Sequence, residues 1–430
     1  MYFYRLYAIC PRGRIMDKAR GMGNWETEQA CGSGVLTINL AALQHNYRVL
    51  RAITGGAQVA GVVKADAYGL GADIIAPALY EAGCRLFFVA QLAEAIALRA
   101  ILSGRRGVEI AILNDVLPQE IPFAAQVNII PVLDSLESLR LWAAEAAKLG
   151  RKLPAMIQAD SGMARLGLDR AELAELCRAP ELLKNIEVKA FISHLACADN
   201  AESPMNAAQR ARFLAAAAQL RECLGRPVPL SLSASCGAAL GKDFCFDIIR
   251  PGIALYGVID DAAANGRKRH LQTKNGSYQQ SEKDGAEQGT ALARELRPVV
   301  SLEGRVLRIG DLRKGETAGY GATYRAAAPM PIATISIGYA DGWPRSLSNK
   351  GAVYYQGIRL PIIGRISMDC LTVDLSNIAQ ARLPLPKRGD MIEFIGSHQS
   401  LAAVAQDADM IPYEILTSLG RRYIRNIITD

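Results

Sequence analysis

From Thr37 onward the chain alternates two kinds of segment: short β-branched or apolar runs, and longer stretches whose apolar residues recur at helical spacing. The runs are AGVVK (60–64), LFFVA (86–90), EIAILN (109–114), NIIPVL (128–133), PAMIQAD (154–160), KAFISHLA (189–196), LSLSAS (230–235) and DIIRPGIALYG (247–257). Between them lie helical patterns such as GADIIAPALYEAG, LAEAIALRAIL, SLESLRLWAAEAAKLG, RAELAELCRAPELL and AAQRARFLAAAAQLRECLG. Strand and helix in strict alternation predict a parallel sheet, and eight such units suit a closed (β/α)8 TIM-type barrel. An earlier strand-like run, GVLTINL, precedes the barrel pattern and is expected to pair with it.

After Gly257 the pattern changes. Residues from Asp260 to Ala293 are polar, rich in Gly, Gln, Lys and Ala, and lack apolar periodicity, which reads as a linker or surface loop without chemistry. Beyond it come VVSLEGRVLRIG, MPIATISIGYA, AVYYQGIRLPIIGR, LTVDL and DMIEFIG, strand-like segments punctuated by turns and followed by a short helical tail. The expected organisation is an N-terminal extension (1–33), a barrel (34–259), a polar linker (260–293) and a mainly β C-terminal domain (294–430).

Composition narrows the function classes. Half of the 430 residues are hydrophobic and 21% are charged, the balance of an ordinary folded enzyme. The net charge of +7 is modest, and the basic residues are scattered rather than gathered into a stripe with aromatics, so no nucleic-acid partner is expected. No apolar run is long enough to span a bilayer, and the opening MYFYRLYAIC is read as non-targeting because Arg5 interrupts it. Nine cysteines, with no CxxC pair, read as reduced thiols of a cytoplasmic protein. His194 and Cys197 form an HxxC, but no second pair completes a zinc site, and no metal is expected.

In such barrels the chemistry collects where strands run into the following loops. Lys64 ends the first run, Asp160 to Arg165 follow the fifth, His194 ends the sixth, Ser235 and Cys236 end the seventh, and Arg250 with Gly252 lies in the eighth. A lysine at a barrel mouth serves as general base, phosphate contact or Schiff-base nucleophile, each favoured by partial burial. Gly69 and Gly71 open the next helix with backbone N–H groups suited to an anion, and Arg250-Pro251-Gly252-Ile253 offers a second such cradle. Lysine beside a phosphate cradle suggests pyridoxal phosphate.

These residues resemble the alanine racemases. VVKADAYGLGA (62–72) is similar to that family's cofactor-attachment segment, DSGMARLGL (160–168) to its arginine loop, and RPGIALYG (250–257) to its phosphate and pyridine-nitrogen segment. GYGATYRA, IGYADGW and GRISMD resemble its second-domain motifs, and the likeness runs from about Val35 to Arg425. The resemblance implies an isomerase that interconverts L- and D-alanine by two-base proton transfer and supplies D-alanine for peptidoglycan. It implies a homodimer with shared sites. Lys64 would hold pyridoxal phosphate as a Schiff base and act as one base; Tyr320, from the partner subunit, would be the other. Tyr68, Ser235, Gly252 and Ile253 would contact the phosphate, Arg250 would face the pyridine nitrogen, and His194 would support Arg250 and the tyrosine. Arg165 would meet the substrate carboxylate, with Met368 and Asp369 at the substrate entrance.

Three positions depart from the family pattern. Gln158 stands where many members carry a lysine that becomes carbamylated, and Cys236 where a phosphate-binding serine is usual, with Ser235 adjacent. The C-terminal tyrosine that often reaches the phosphate falls at or near Arg421, with Tyr423 close by. A racemase of broader range, a barrel decarboxylase and a non-catalytic pyridoxal-phosphate carrier are the competing readings. Arg250 speaks against the decarboxylase, because an acidic partner would make the stronger electron sink, and the second domain speaks against the carrier.

Overall fold

The computed structural model describes residues 32–259 and 292–430. The extension and the polar linker expected from the sequence lie almost wholly outside these residues.

All eight apolar runs contribute strands to one parallel barrel. Gln58–Val59 and Gly61–Val62 form its first staves, followed by Leu86–Val89, Glu109–Ile112, Ile130–Leu133, Leu153–Gln158, Ile186–Ile192 and Leu230–Ser231, each hydrogen-bonded to the next. Ile248–Ile249 closes the circuit by pairing with Gln58–Val59, while Ala60 and Val62 donate to Ile249 and Pro251. The eighth run is thus a strand only at its start. Pro251 has no N–H to extend the ladder, and Ile253–Tyr256 turns into a short 3-10 helix.

The outer helices follow the periodic stretches: Ala72–Glu81, Leu92–Ile101, Leu136–Lys148, Arg170–Arg178 and Pro204–Leu224. Ser135 and Asp169 each cap their helix by accepting from the backbone N–H three residues on. Strands such as LFFV and IPVL are buried on both faces, inside by the barrel core and outside by the helices.

The run GVLTINL does not pair with the barrel. Gly34–Asn39 lies between Val300–Leu312, antiparallel, and Ile424–Ile428, parallel, and so belongs to the C-terminal sheet. Its alternating burial fits a sheet covered on one face, whereas a barrel strand here would be buried on both. Six C-terminal strands run Met330–Ile335, Leu371–Asp374, Ile358–Ile363, Ala352–Tyr355, Met391–Ile395 and Val300–Leu312, and the last pairs back with the first to close an antiparallel barrel, with Thr317–Ala318 and Tyr324–Arg325 as a separate pair. Gln356 and Gly357, both at positive φ, make the two-residue hairpin turn between Ala352–Tyr355 and Ile358–Ile363. The helix Pro412–Ser418 carries this C-terminal part back to the mouth of the parallel barrel.

Candidate active site

The apolar strand before Lys64 ends in an unusual piece of backbone. Ala65, Asp66, Ala67 and Tyr68 all have φ between 53° and 58°, a left-handed turn made of L residues. Such conformations cost roughly 1–2 kcal/mol per residue, and they persist only where the surroundings fix them. Here the supports are explicit. Ala67 N–H donates to Val63 O, Gly69 N–H to Ala65 O and Gly71 N–H to Asp66 O, and Asp66 Oδ1 accepts from Ala72 N. Arg425, from the last strand of the C-terminal sheet, donates to the carbonyls of Gly69 and Leu70 at 2.8 and 2.5 Å. Gly69 is required twice over: its φ is 83°, and a Cβ would fall 2.9 Å from the Leu416 carbonyl oxygen. The N–H groups of Gly69 and Gly71 are therefore consumed by the turn, which removes them as the anion cradle expected from the sequence.

The turn places Lys64 and Tyr68 in one cavity of about 230 Å³ at the C-terminal ends of the barrel strands. Leu113 and Asn114 line it after the third strand, Gln158, Arg165 and Leu166 at and after the fifth, and His194 after the sixth. Ser235, Arg250, Gly252 and Ile253 complete it after the seventh and eighth, and Tyr413 enters from the helix Pro412–Ser418. Three cationic side chains, Lys64, Arg165 and Arg250, face this space, and no carboxylate is among its described lining residues. Burying cations without an anion is costly, so the cavity suits an anionic occupant.

Burial, reinforced by Arg165 and Arg250 and opposed by Glu94, lowers the Lys64 pKa below the ordinary lysine range. Burial and the same cations push His194 down to about 3, so its ring is neutral at physiological pH. Arg250 is 4% exposed. Its Nη2 donates to Ser193 O at 2.6 Å and to His194 Nδ1 at 3.4 Å, and Nη1 donates to Ser231 Oγ. Because arginine can only donate, His194 Nδ1 is the acceptor and the proton of the neutral ring sits on Nε2. Burial lowers the Arg250 pKa to about 10, which still leaves it charged at neutral pH.

At the other end, Ser235 Oγ accepts from Gly252 N at 3.0 Å and from Ala254 N at 3.1 Å. The Gly252 N–H is thus taken by the serine, and the serine, with its acceptor sites filled, has its own proton left to donate. A Cβ on Gly252 would overlap the Tyr68 hydroxyl. Hydroxyl and glycine backbone meet in a cradle that only glycine leaves open. Cys236 is half-buried and is not among the lining residues. A phosphate at this end and a hydrogen-bond acceptor at the Arg250 end fit the donors present, as pyridoxal phosphate requires.

Gln158 is buried, and its Nε2 donates to Leu166 O at 2.9 Å, which ties it to the loop carrying Arg165. Asp160 shapes that loop by accepting from the N–H groups of Gly162, Met163 and Ala164. The aromatic contribution of the C-terminal segment differs from expectation. Tyr423 is buried with an unpartnered hydroxyl, Arg421 is exposed, and neither lines the cavity. Tyr413 does, its ring 6.0 Å from that of Tyr68. The proline-initiated helix after Ile411 was the available signal for it.

Tyr320, Met368 and Asp369 do not line the cavity of their own chain. They lie together on the C-terminal domain: Tyr339 N–H donates to Ser367 O, Ala340 N–H to Met368 O, and a Cβ on Gly319 would fall 2.7 Å from Arg365 N. The result is an exposed patch with Tyr320 at 71% and Met368 at 51% exposure. Asp369 pairs with Arg422 at 2.7 Å, and Arg422 in turn meets the buried Asp341 at 3.0 Å.

Residues 38–260 match the family model for the alanine racemase N-terminal domain, and residues 299–427 that for the alanine racemase C-terminal domain. The chain is 46% identical over 400 residues to an alanine racemase of Brucella abortus, covering 93% of this chain and 94% of that one. It is 43% identical over 403 residues to a protein of Agrobacterium fabrum named as a catabolic alanine racemase, with the same coverage of each. Among solved structures, the alanine racemase of Bartonella henselae with covalently bound pyridoxal phosphate superposes with a TM-score of 0.80 at 42% identity, covering 92% of this chain and 99% of that one.

Proposed function

The chain belongs to the alanine racemase family, and we propose that its two proton-transfer bases are Lys64 and, across a homodimer interface, Tyr320 of the partner subunit. The activity is the pyridoxal-phosphate-dependent interconversion of L-alanine and D-alanine. Bound pyridoxal phosphate supplies an electron sink for the charge left when the α-proton departs.

The chain's own residues divide the remaining work. Lys64 anchors the cofactor and, as an amine whose pKa burial lowers, accepts or returns the α-proton on one face. Arg250, which keeps its proton, would face the ring nitrogen as a donor only and so limit the electron sink. Tyr68, Ser235 and Ile253 hold the phosphate, joined by Tyr413, while Gly252, its N–H committed to Ser235, leaves the room the phosphate needs. Arg165 takes the substrate carboxylate. His194, neutral and with Nε2–H free of the Arg250 contact, steadies the deprotonated oxygen of the second base, since a hydrogen bond to the charged form favours it.

Inverting a stereocentre needs a second base on the opposite face. One observation carries its assignment: Tyr320 is 71% exposed and outside its own chain's cavity, in a patch with Met368. A two-fold assembly brings the same patch of each subunit to the other's site, and Met368 and Asp369 then flank the substrate entrance. We place the enzyme in the cytoplasm, supplying D-alanine for peptidoglycan; Cys84, Cys177, Cys197, Cys223, Cys245 and Cys370 are unoxidised thiols.

The test is complementation. Borohydride should first trap the cofactor on Lys64. Lys64→Ala and Tyr320→Phe should each be nearly inactive in a chiral alanine assay. Refolded together in equal amounts, about half the dimers are mixed, and each mixed dimer has one intact site of two, so activity should recover to about a quarter of wild type. No recovery despite mixed dimers seen by mass would mean that each chain builds its own site.

A further inference from the structure

Ala65, the residue after Lys64, gives its backbone N–H to Glu94 Oε1 at 2.6 Å. The other oxygen of that carboxylate accepts from Ala90 N at 2.7 Å and Gln91 N at 3.1 Å. Glu94 stands in the first turn of the helix Leu92–Ile101, directly after the second barrel strand. It therefore bolts the end of one strand to the start of the left-handed turn that follows its neighbour. Three N–H donors converge on it, so an acceptor-only group is required; a carboxamide would turn its own N–H atoms against at least one of them.

The charges around Lys64 give the same residue a second role. Arg165 reaches Lys64 from the loop after Leu153–Gln158, Arg250 from the end of Ile248–Ile249, and the neutral His194 stands after Ile186–Ile192. Tyr68 and Tyr413 complete the titratable groups of the cavity lining. Against these cations, Glu94 is the carboxylate whose charge acts on the lysine among the described residues.

We propose that Glu94 is the positioning residue for Lys64, fixing the left-handed turn at its first amide and supplying the negative charge that balances Arg165 and Arg250 at the lysine amine. This rests on the assignment of Lys64 as anchor and base. Glu94 is not among the residues lining the cavity, and acts through the lysine. Burial and the two arginines lower the Lys64 pKa while Glu94 opposes them, so removing its charge lowers the pKa further and shifts the amine's working range toward acid.

The experiment compares wild type with Glu94→Gln, Glu94→Ala and Glu94→Asp. In cofactor-stripped protein, the pH dependence of Lys64 labelling by acetic anhydride, read by peptide mass, gives the amine's titration directly. The midpoint should move to lower pH in Glu94→Gln and Glu94→Ala, and stay nearer wild type in Glu94→Asp, which keeps the charge. In the loaded enzyme, kcat should fall roughly 10²-fold in Glu94→Gln, the scale of a misplaced reacting group, with the KM for alanine little changed. A helix cap alone would lower the Tm and leave the Lys64 titration where it was. An unchanged labelling midpoint in Glu94→Gln, or a kcat equal to wild type, overturns the proposal; if Glu94→Gln does not fold, the comparison of Glu94→Ala with wild type decides in the same way. Borohydride trapping on wild-type Lys64 separates the two levels. If wild type is not trapped there, the assignment of Lys64 fails; if it is trapped and the variants titrate like wild type, only the role of Glu94 fails.

Discussion

Gly252→Ala is expected to weaken cofactor binding while leaving the barrel folded. Gly252 has φ −114°, outside the left-handed region, and the effect to follow is the steric one. The new Cβ would overlap the Tyr68 hydroxyl and lie 2.8 Å from Cζ of the same ring. The ring has little room to yield. It is buried, with its centroid 5.0 Å from Tyr256 and 6.0 Å from Tyr413. The hydroxyl is therefore driven out of the proposed phosphate cradle. A hydrogen bond to a charged group contributes about 1.5–3 kcal/mol, so losing the one from Tyr68 raises the dissociation constant about 10- to 150-fold. Overpacking adds a stability cost of about 1–3 kcal/mol, visible as a lower Tm. The assay is reconstitution of stripped protein with pyridoxal phosphate, followed by visible absorbance. Tyr68→Phe removes the same hydroxyl, so the double variant should bind much more tightly than the sum of the two single losses predicts. Binding by Gly252→Ala within about twofold of wild type, or full additivity with Tyr68→Phe, would refute the steric route through Tyr68.

Two further outcomes follow from buried polar groups. Gln158 is a neutral amide committed to the Leu166 carbonyl, so racemisation should be independent of dissolved carbon dioxide; loss of wild-type activity on degassing, regained on adding bicarbonate, would show that another lysine supplies a carbamate. Asp134 is pushed up to about 7 from 3.8 by burial and by the neighbouring Asp115. The folded state then binds a proton that the unfolded chain releases, so stability is lost as pH rises from about 4 to 7. Asp134→Asn should be more stable than wild type at pH 8 by about 1–2 kcal/mol, discounted for partial exposure, and equal to it near pH 4; urea midpoints equal to wild type at both pH values would exclude the raised Asp134 pKa.

Periodicity along the chain was enough to specify the eight barrel strands and five of the outer helices, because a strand covered on both faces must be apolar throughout and an outer helix must be apolar on one side. Lys64, His194, Ser235 and Arg250 were legible for a related reason: each stands where an apolar run stops, which in a parallel barrel is the mouth. Local pattern could not say which sheet Gly34–Asn39 joins. Its alternation records one covered face, and its partners, Val300–Leu312 and Ile424–Ile428, lie hundreds of residues away. The same holds for Tyr413, a tyrosine in an ordinary helix until the return of Pro412–Ser418 to the barrel mouth sets it beside Tyr68. Four successive left-handed residues after Lys64 run against local preference, and no propensity reads them from KADAY. They exist because Glu94, Arg425 and the Leu416 carbonyl close on the turn from three other parts of the chain, and such support is a property of the tertiary structure alone.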